Sequence, residues 1–192
     1  FKEEAWAKKP VADNQADPNA LTKFAFDGIT GVLLMVRSSI SMSANTQLPE
    51  KVRAAMDTQA ACEGIAGGAM IVWGAGKCTL SNGKNAFWLK GTKILDMLVQ
   101  SAFGVGALGA AIAGGSYKSQ FPNQLAYSSY GMQVSSYVMV QFVLLMGAAA
   151  DLFAGPSSST VRKGAFMLQL AALTCDLGAA VTGYASNQVA SS

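Results

Sequence analysis

The sequence of 192 residues contains no histidine. Histidine is the side chain that most often serves as a general base or a metal ligand near neutral pH, so the usual forms of those sites are excluded. Three cysteines, Cys62, Cys78 and Cys175, cannot form a disulfide framework, and two of them lie in apolar windows typical of core positions. We therefore predict a protein that is not an enzyme, with no catalytic residue and no metal site.

Charge is also scarce. Charged residues make up 13% of the chain, whereas a soluble domain usually carries about 25%. No charged residue occurs at 97–117, at 119–150 or at 177–192. Uncharged apolar runs of that length are typical of membrane spans. The net charge of +3 is small and its basic residues are scattered, so no nucleic-acid partner is predicted.

The sequence does contain a series of long apolar segments. They predict an all-α fold, a polytopic α-helical membrane bundle at 24–186 with five transmembrane helices. A polar N-terminal arm at 1–23 precedes the bundle, and a short tail at 187–192 follows it. The segment at 50–76 is the weakest span, because its uninterrupted apolar part covers only 64–76. The predicted helices are 24–43, 57–76, 94–117, 133–155 and 164–186.

Prolines and glycines divide these segments. Leu48-Pro49-Glu50 resembles a helix start with proline near the first turn. The residues at 77–93 form a predicted basic loop with Asn82-Gly83 as its turn. Gly155-Pro156 ends the fourth span, and a polar linker leads to the fifth. These signals separate the spans without overlap.

The distribution of basic residues predicts the orientation. With five spans, ten of the fourteen Lys and Arg residues lie on the side of the N-terminus, three lie on the other side, and Arg37 lies within the membrane. The positive-inside rule then places the N-terminus on the cytoplasmic, stromal or matrix side. No N-x-S/T glycosylation sequence is present. An organellar membrane, thylakoid or mitochondrial inner, is favoured over the plasma membrane.

Three ionisable residues are predicted at a similar depth in the membrane: Arg37, Glu63 and Asp176. A charge at membrane depth costs about 2.5 kcal/mol or more, so it needs a partner or a wet cavity. We expect a buried ionic cluster in which Arg37 pairs with Glu63, Asp176 or both. A proton or ion path that uses the same carboxylates is the alternative.

Small residues predict close helix packing. The segment Gly104 to Gly109 matches G-x-G-x-x-G, but it lies inside an apolar run and lacks the strand and the acidic residue of a dinucleotide site. Residues spaced four apart instead form helix faces that allow two backbones to approach. The predicted packing residues are Gly64 and Gly68 in the second span and Ala102, Gly106, Ala110 and Gly114 in the third.

Polar side chains within the spans suggest two further roles. Gln133, Ser136 and Gln141 can form hydrogen bonds between helices. Glu63, Gln100 and Gln141 are candidate pigment ligands, because carboxylate and amide oxygens bind magnesium. The sequence requires no cofactor, although chlorophyll, carotenoid or lipid would be compatible with a photosynthetic host complex.

A basic residue in the first span, Arg37, together with an acidic residue in a later one, Asp96, weakly resembles the MARVEL and Casparian-strip-like four-span scaffolds. Two charges are not a motif, and the fifth span departs from that family. The resemblance implies a self-assembling membrane scaffold. The function favoured by the whole sequence is a non-catalytic accessory subunit of a photosynthetic or respiratory membrane complex, with other subunits and the bilayer as partners. A small transporter or channel is the third hypothesis.

Overall fold

The protein is an all-helical bundle in its described parts. The computed structural model describes residues 20–79, 83–152 and 156–192, with side chains from 26–75, 91–152 and 160–192. Most of the predicted polar arm lies outside these residues. A 3-10 turn at Lys118–Gln120 precedes the fourth helix. The helices are α1 (Ala20–Asn45), α2 (Glu50–Thr79), α3 (Gly83–Gly115), α4 (Gln124–Leu152) and α5 (Pro156–Ser191).

The helices are longer than the predicted spans. The predicted basic loop at 77–93 is largely helical, since α3 begins at Gly83. The helix α4 begins nine residues before the predicted 133, and α5 covers both the predicted linker and most of the predicted tail. The prediction followed apolar runs only. A helix can extend past its apolar part because its backbone hydrogen bonds do not depend on the polarity of the side chains.

Local capping explains two of the helix starts. The helix α2 begins directly after Pro49, whose carbonyl accepts hydrogen bonds from the amides of Val52 and Arg53 at 2.9 and 2.8 Å. At the start of α4, the Asn123 side chain accepts a hydrogen bond from the Ala126 amide at 2.9 Å. Asparagine is a preferred N-cap because its short side chain satisfies an otherwise unpaired amide. Tyr127 and Tyr130 are therefore helical, although they lie before the predicted span at 133–155.

The five helices form a closed ring. Each helix packs against the next one along the chain, and α5 returns to pack against α1. Short connections between long helices make the neighbours antiparallel. One end of the bundle therefore holds the start of α1, the ends of α2 and α4, and the starts of α3 and α5. We call it the basic end, after the lysines and arginines that the sequence places there.

Two apolar clusters fill the ring at different heights. The first lies toward the end opposite the basic end and includes Val52, Met56 and Leu108. The second lies toward the basic end and includes Leu34, Met97 and Leu144. The polar residues at the centres of the helices lie between these clusters.

Three helices are long and apolar enough to cross a membrane. They are the segments Gly91–Gly115, Gln124–Leu152 and Thr160–Ser191, among the residues that the structure describes. Over their described residues, α1 and α2 do not reach the same hydropathy, because charged residues such as Arg37 and Glu63 lie within them. The helical bundle is thus confirmed, and its membrane character is supported for three helices, whereas the sequence predicted five spans.

Candidate functional site

The centre of the bundle holds Arg37 against two carboxylates. The Arg37 Nε donates a hydrogen bond to Asp176 Oδ2 at 2.7 Å, and Nη2 donates to Ser136 Oγ at 2.5 Å. The same Nη2 lies 3.7 Å from Glu63 Oε2. All three ionisable side chains are fully buried, with 0% exposure. The structure thus brings together the three residues of the predicted cluster, and the Asp176 contact is the shorter one. We call Arg37, Glu63 and Asp176 the central cluster.

The sequence of α1 explains why Arg37 points inward. Buried residues recur along α1 at three- and four-residue spacing, and such residues share one face of a helix. That face carries Asp27, Thr30, Leu34, Arg37 and Ser41, all of which are buried. The hydrogen bond from Gln169 Nε2 to the Thr30 carbonyl, at 3.1 Å, joins the same face to α5. This hydrogen bond fixes α1 against α5 about two turns from Arg37.

Buried amides extend the central cluster toward α3. The Gln59 Nε2 lies 3.5 Å from Glu63 Oε1, one turn along α2. On α4, Gln141 accepts a hydrogen bond from Ser101 Oγ at 3.2 Å. A Cβ atom at Gly104 would lie 2.6 Å from Gln59 Oε1 and 2.5 Å from Gln141 Nε2. Gly104, the first residue of the G-x-G-x-x-G match, thus makes room for two amide side chains.

A second ionic cluster lies near the basic end. Lys93 Nζ lies 2.6 Å from Asp151 Oδ2 and 3.3 Å from Asp27 Oδ1, and Arg162 forms an ion pair with Asp151. Lys93 also lies 5.7 Å from the centre of the Trp73 ring, which is cation–π range. We call Asp27, Lys93, Asp151 and Arg162 the outer cluster. It joins four helices, α1, α3, α4 and α5.

The outer cluster was not predicted from the sequence. Lys93 lies in the predicted loop at 77–93, and Asp27 and Asp151 lie in predicted spans without an assigned role. The direction of each span was sufficient to find the contact, because Asp27, Lys93 and Asp151 all lie within a few turns of the basic end. A second signal lies on α5, where Arg162, Gln169 and Asp176 are spaced seven residues apart. Residues at this spacing lie on one helix face, so Arg162 was predictable as an inward-facing residue.

The two clusters differ in charge. The outer cluster has two cations and two carboxylates, so its formal charge is zero. The central cluster has one cation and two carboxylates. With both acids ionised it would carry a formal charge of −1 with no exposure to solvent. A buried charge without compensation is strongly unfavourable.

The candidate pigment ligands do not form one site. Glu63 belongs to the central cluster, and Gln141 is turned toward Ser101 inside the bundle. Gln100 instead donates a hydrogen bond to Asp96 at 3.3 Å. Asp96, the residue suggested by the scaffold resemblance, is therefore next to Gln100, while Arg37 pairs with Asp176 and Glu63. Of the predicted interhelical polar residues, Gln133 and Ser136 are both fully buried.

The backbones of α1 and α2 approach each other closely at Gly31 and Gly67. A Cβ atom at either glycine would lie 2.6 Å from the carbonyl oxygen of the other. Among the predicted packing residues, Gly64 and Gly114 also have close neighbours, Ser38 and Val52, at 3.0 and 3.1 Å from such a Cβ. Two others differ from the prediction, since a Cβ would meet nothing within 4 Å there. These are Gly68 and Gly106.

The remaining predicted packing residues, Ala102 and Ala110, line an open groove together with Gly106. The groove lies between α2 and α3, has a volume of about 680 Å³, and is mainly apolar. On the α2 side it is lined by Ala54 and Ala55. The small residues of α3 therefore face an empty groove on the outside of the bundle.

Among the described residues, no group of three or more His, Cys, Asp or Glu side chains is placed to hold a metal ion. Comparisons of the chain with protein-family models, curated proteins and solved structures found no match. The arrangement of the side chains themselves is thus the basis for a functional proposal.

Proposed function

We propose that this protein is a non-catalytic accessory subunit of a multi-subunit membrane complex, and that all five helices cross the membrane. The observation that carries this proposal is the reversed polarity of the bundle. In a soluble helical bundle the apolar face of each helix points inward and the polar face meets water. Here, polar side chains are buried in the interior and large apolar side chains lie on the outside.

The helix α1 has this reversed polarity although its mean hydropathy is lowered by charges. Its buried face carries Asp27 and Arg37, while Ile29 and Val32 are about half exposed, at 51% and 50%. Water would hydrate the buried groups better and the exposed groups worse, so this arrangement suits a lipid environment. The helix is 26 residues long, and about 20 residues suffice to cross a bilayer.

The helices α2 and α5 have the same polarity. In α2, Gln59 and Glu63 are fully buried, while Val72 is 66% exposed. In α5, Asp176 is fully buried and Val181 is 69% exposed. Charges therefore point to the interior even where hydropathy alone does not indicate a span. This supports five crossings.

The ionic clusters support a structural role over transport. Each one joins side chains from separate helices. Apolar clusters also pack above and below the central one, at Met56 on one side and at Leu34 and Leu144 on the other. Ion pairs enclosed in this way hold helices in place, whereas a transporter needs an aqueous route to its site.

The groove between α2 and α3 is our candidate for the contact with a partner subunit. Lipid tails are as apolar as leucine, so helices associate in membranes mainly where small residues let backbones pack closely. Ala54, Ala55, Ala102, Gly106 and Ala110 give the groove such a surface. We propose that a transmembrane helix of another subunit packs there.

Separate substitutions at two glycines, one that lines the groove and one that does not, test this contact. We expect Gly106→Leu to fill the groove and release the partner chains when the protein is isolated from native membranes in mild detergent. Gly131→Leu is the matched control, because a Cβ there also meets nothing within 4 Å. The control should keep the partners, and both variants should keep the helical circular-dichroism spectrum of the wild type.

Other outcomes would identify another function. A wild-type protein that is isolated as a stable monomer would contradict the accessory-subunit proposal. Contact with further copies of itself alone would favour the self-assembling scaffold. Proton or ion flux in liposomes that Asp176→Asn abolishes, in a folded protein, would favour the transporter. Fractionation of organelles tests the proposed thylakoid or mitochondrial inner membrane.

A further inference from the structure

We infer that the central cluster binds one proton, which is held on Glu63. The inference does not depend on the proposed function, because the central cluster is fully buried within this chain. It rests on the excess of one carboxylate over the single cation, on two unequal contact distances, and on a Glu63 oxygen that has no hydrogen-bond partner.

The contact distances assign Arg37 to Asp176. The Nε–Oδ2 distance of 2.7 Å is that of a charge-assisted hydrogen bond. The distance from Arg37 to Glu63 is 3.7 Å, which is too long for a hydrogen bond. The guanidinium is thus neutralised mainly by Asp176. Glu63 remains fully buried with a second negative charge unless it takes up a proton.

Unpaired atoms show that the hydrogen bonds of the central cluster are incomplete. Glu63 Oε2 and Asp176 Oδ1 are buried acceptors without a hydrogen-bond partner, and Arg37 Nη1 is a buried donor without one. A buried polar group that stays unsatisfied costs about 1–3 kcal/mol. The guanidinium therefore leaves one oxygen of an ionised Glu63 unpaired. Protonation turns Glu63 from an acceptor only into a donor as well.

Among the described residues, the groups around Glu63 provide no second cation. The helix α1 contributes Arg37, α5 contributes Asp176, and α4 contributes the Tyr137 phenol, which is in electrostatic range. On α2 the neighbouring residue is Cys62, and α3 contributes Gly104 and Ser101, which do not titrate. The cations of the outer cluster, Lys93 and Arg162, contact Asp27 and Asp151 instead.

Infrared spectroscopy of the purified full chain tests the inference. At neutral pH we expect the carbonyl-stretch band of one protonated carboxylic acid per chain. Glu63→Gln should remove this band completely while the protein stays folded, because the amide is neutral and has nearly the same shape. Asp57→Asn is the control, since that carboxylate is 38% exposed and pairs with Arg53. It should keep the full band.

Two results would overturn the inference. The first is a wild-type spectrum without the band of a protonated acid. If thermal stability then rises with sodium or potassium at constant ionic strength, a metal cation and not a proton neutralises the cluster. The second is a band that persists in folded Glu63→Gln, because the proton would then be on another group.

Discussion

Arg37 contacts three helices of the bundle besides its own. It donates to Asp176 on α5 and Ser136 on α4, and it lies near Glu63 on α2. An arginine can do this because its planar guanidinium has five N–H donors in a fixed arrangement. A lysine offers a single charged centre and could not reach the same set of acceptors in the same geometry. Arg37 thus links the helices at mid-height.

We predict that Arg37→Leu strongly destabilises the protein. The substitution leaves buried carboxylates without their cation, and breaking a buried pair in this way costs about 3–5 kcal/mol. The free energy of unfolding, measured in detergent micelles with increasing denaturant, checks this. Arg53→Leu is the control, because its pair with Asp57 is 47% and 38% exposed, and such pairs contribute less than about 1 kcal/mol. Equal stability of the two variants would contradict a structural role for Arg37.

Helix contacts in this protein depend on which of two adjacent glycines faces the neighbouring helix. Gly67 lies against Gly31 of α1, whereas Gly68 has open space around its Cα atom. Gly64 and Gly68 were the predicted packing residues of the second span, because they are spaced four residues apart. Spacing identifies residues that share a face, but it does not determine which face meets the partner. Two consecutive residues of an α-helix point in directions about 100° apart around the helix axis.

We predict opposite effects for Gly67→Ala and Gly68→Ala. A methyl group at Gly67 would lie 2.6 Å from the Gly31 carbonyl oxygen and 3.0 Å from Leu34 Cβ. The helices must then move apart, which costs about 1–3 kcal/mol. The same change at Gly68 meets nothing within 4 Å, so it should stabilise the helix by about 0.5–1 kcal/mol. Thermal unfolding of both variants in the same detergent measures the difference, and a stable Gly67→Ala protein would argue against the close contact.

At the scale of the whole molecule, three helices meet the length and hydropathy of a membrane span over their described residues, and the described parts of α1 and α2 do not. If α1 and α2 lay outside the membrane, their connection at 46–49 would be on the basic side. If both cross, that connection is on the opposite side, together with the turn at Lys118–Gln120. The side on which Thr46 lies therefore distinguishes three crossings from five.

We predict that Thr46 and Lys118 lie on the same side of the membrane, opposite Lys163. All three side chains are exposed in the structure. Cysteines introduced singly at these positions, in a variant without the native cysteines, can be labelled with a membrane-impermeant thiol reagent in sealed vesicles. We expect Thr46→Cys and Lys118→Cys to react from one side and Lys163→Cys from the other. Labelling of Thr46→Cys together with Lys163→Cys would contradict five crossings.

The sequence by itself determined the helical class, the number of long helices and the residues of the central cluster. Apolar runs identify each long helix but not its ends, and the direction of each helix fixes the depth of Arg37, Glu63 and Asp176. Only the tertiary structure decided how closely each acid approaches the arginine and that Lys93 joins Asp27 to Asp151. It also decided that Gly67, not Gly68, meets α1. These features depend on the rotation of each helix about its axis, which results from the packing of all five helices together and not from the local sequence of any one.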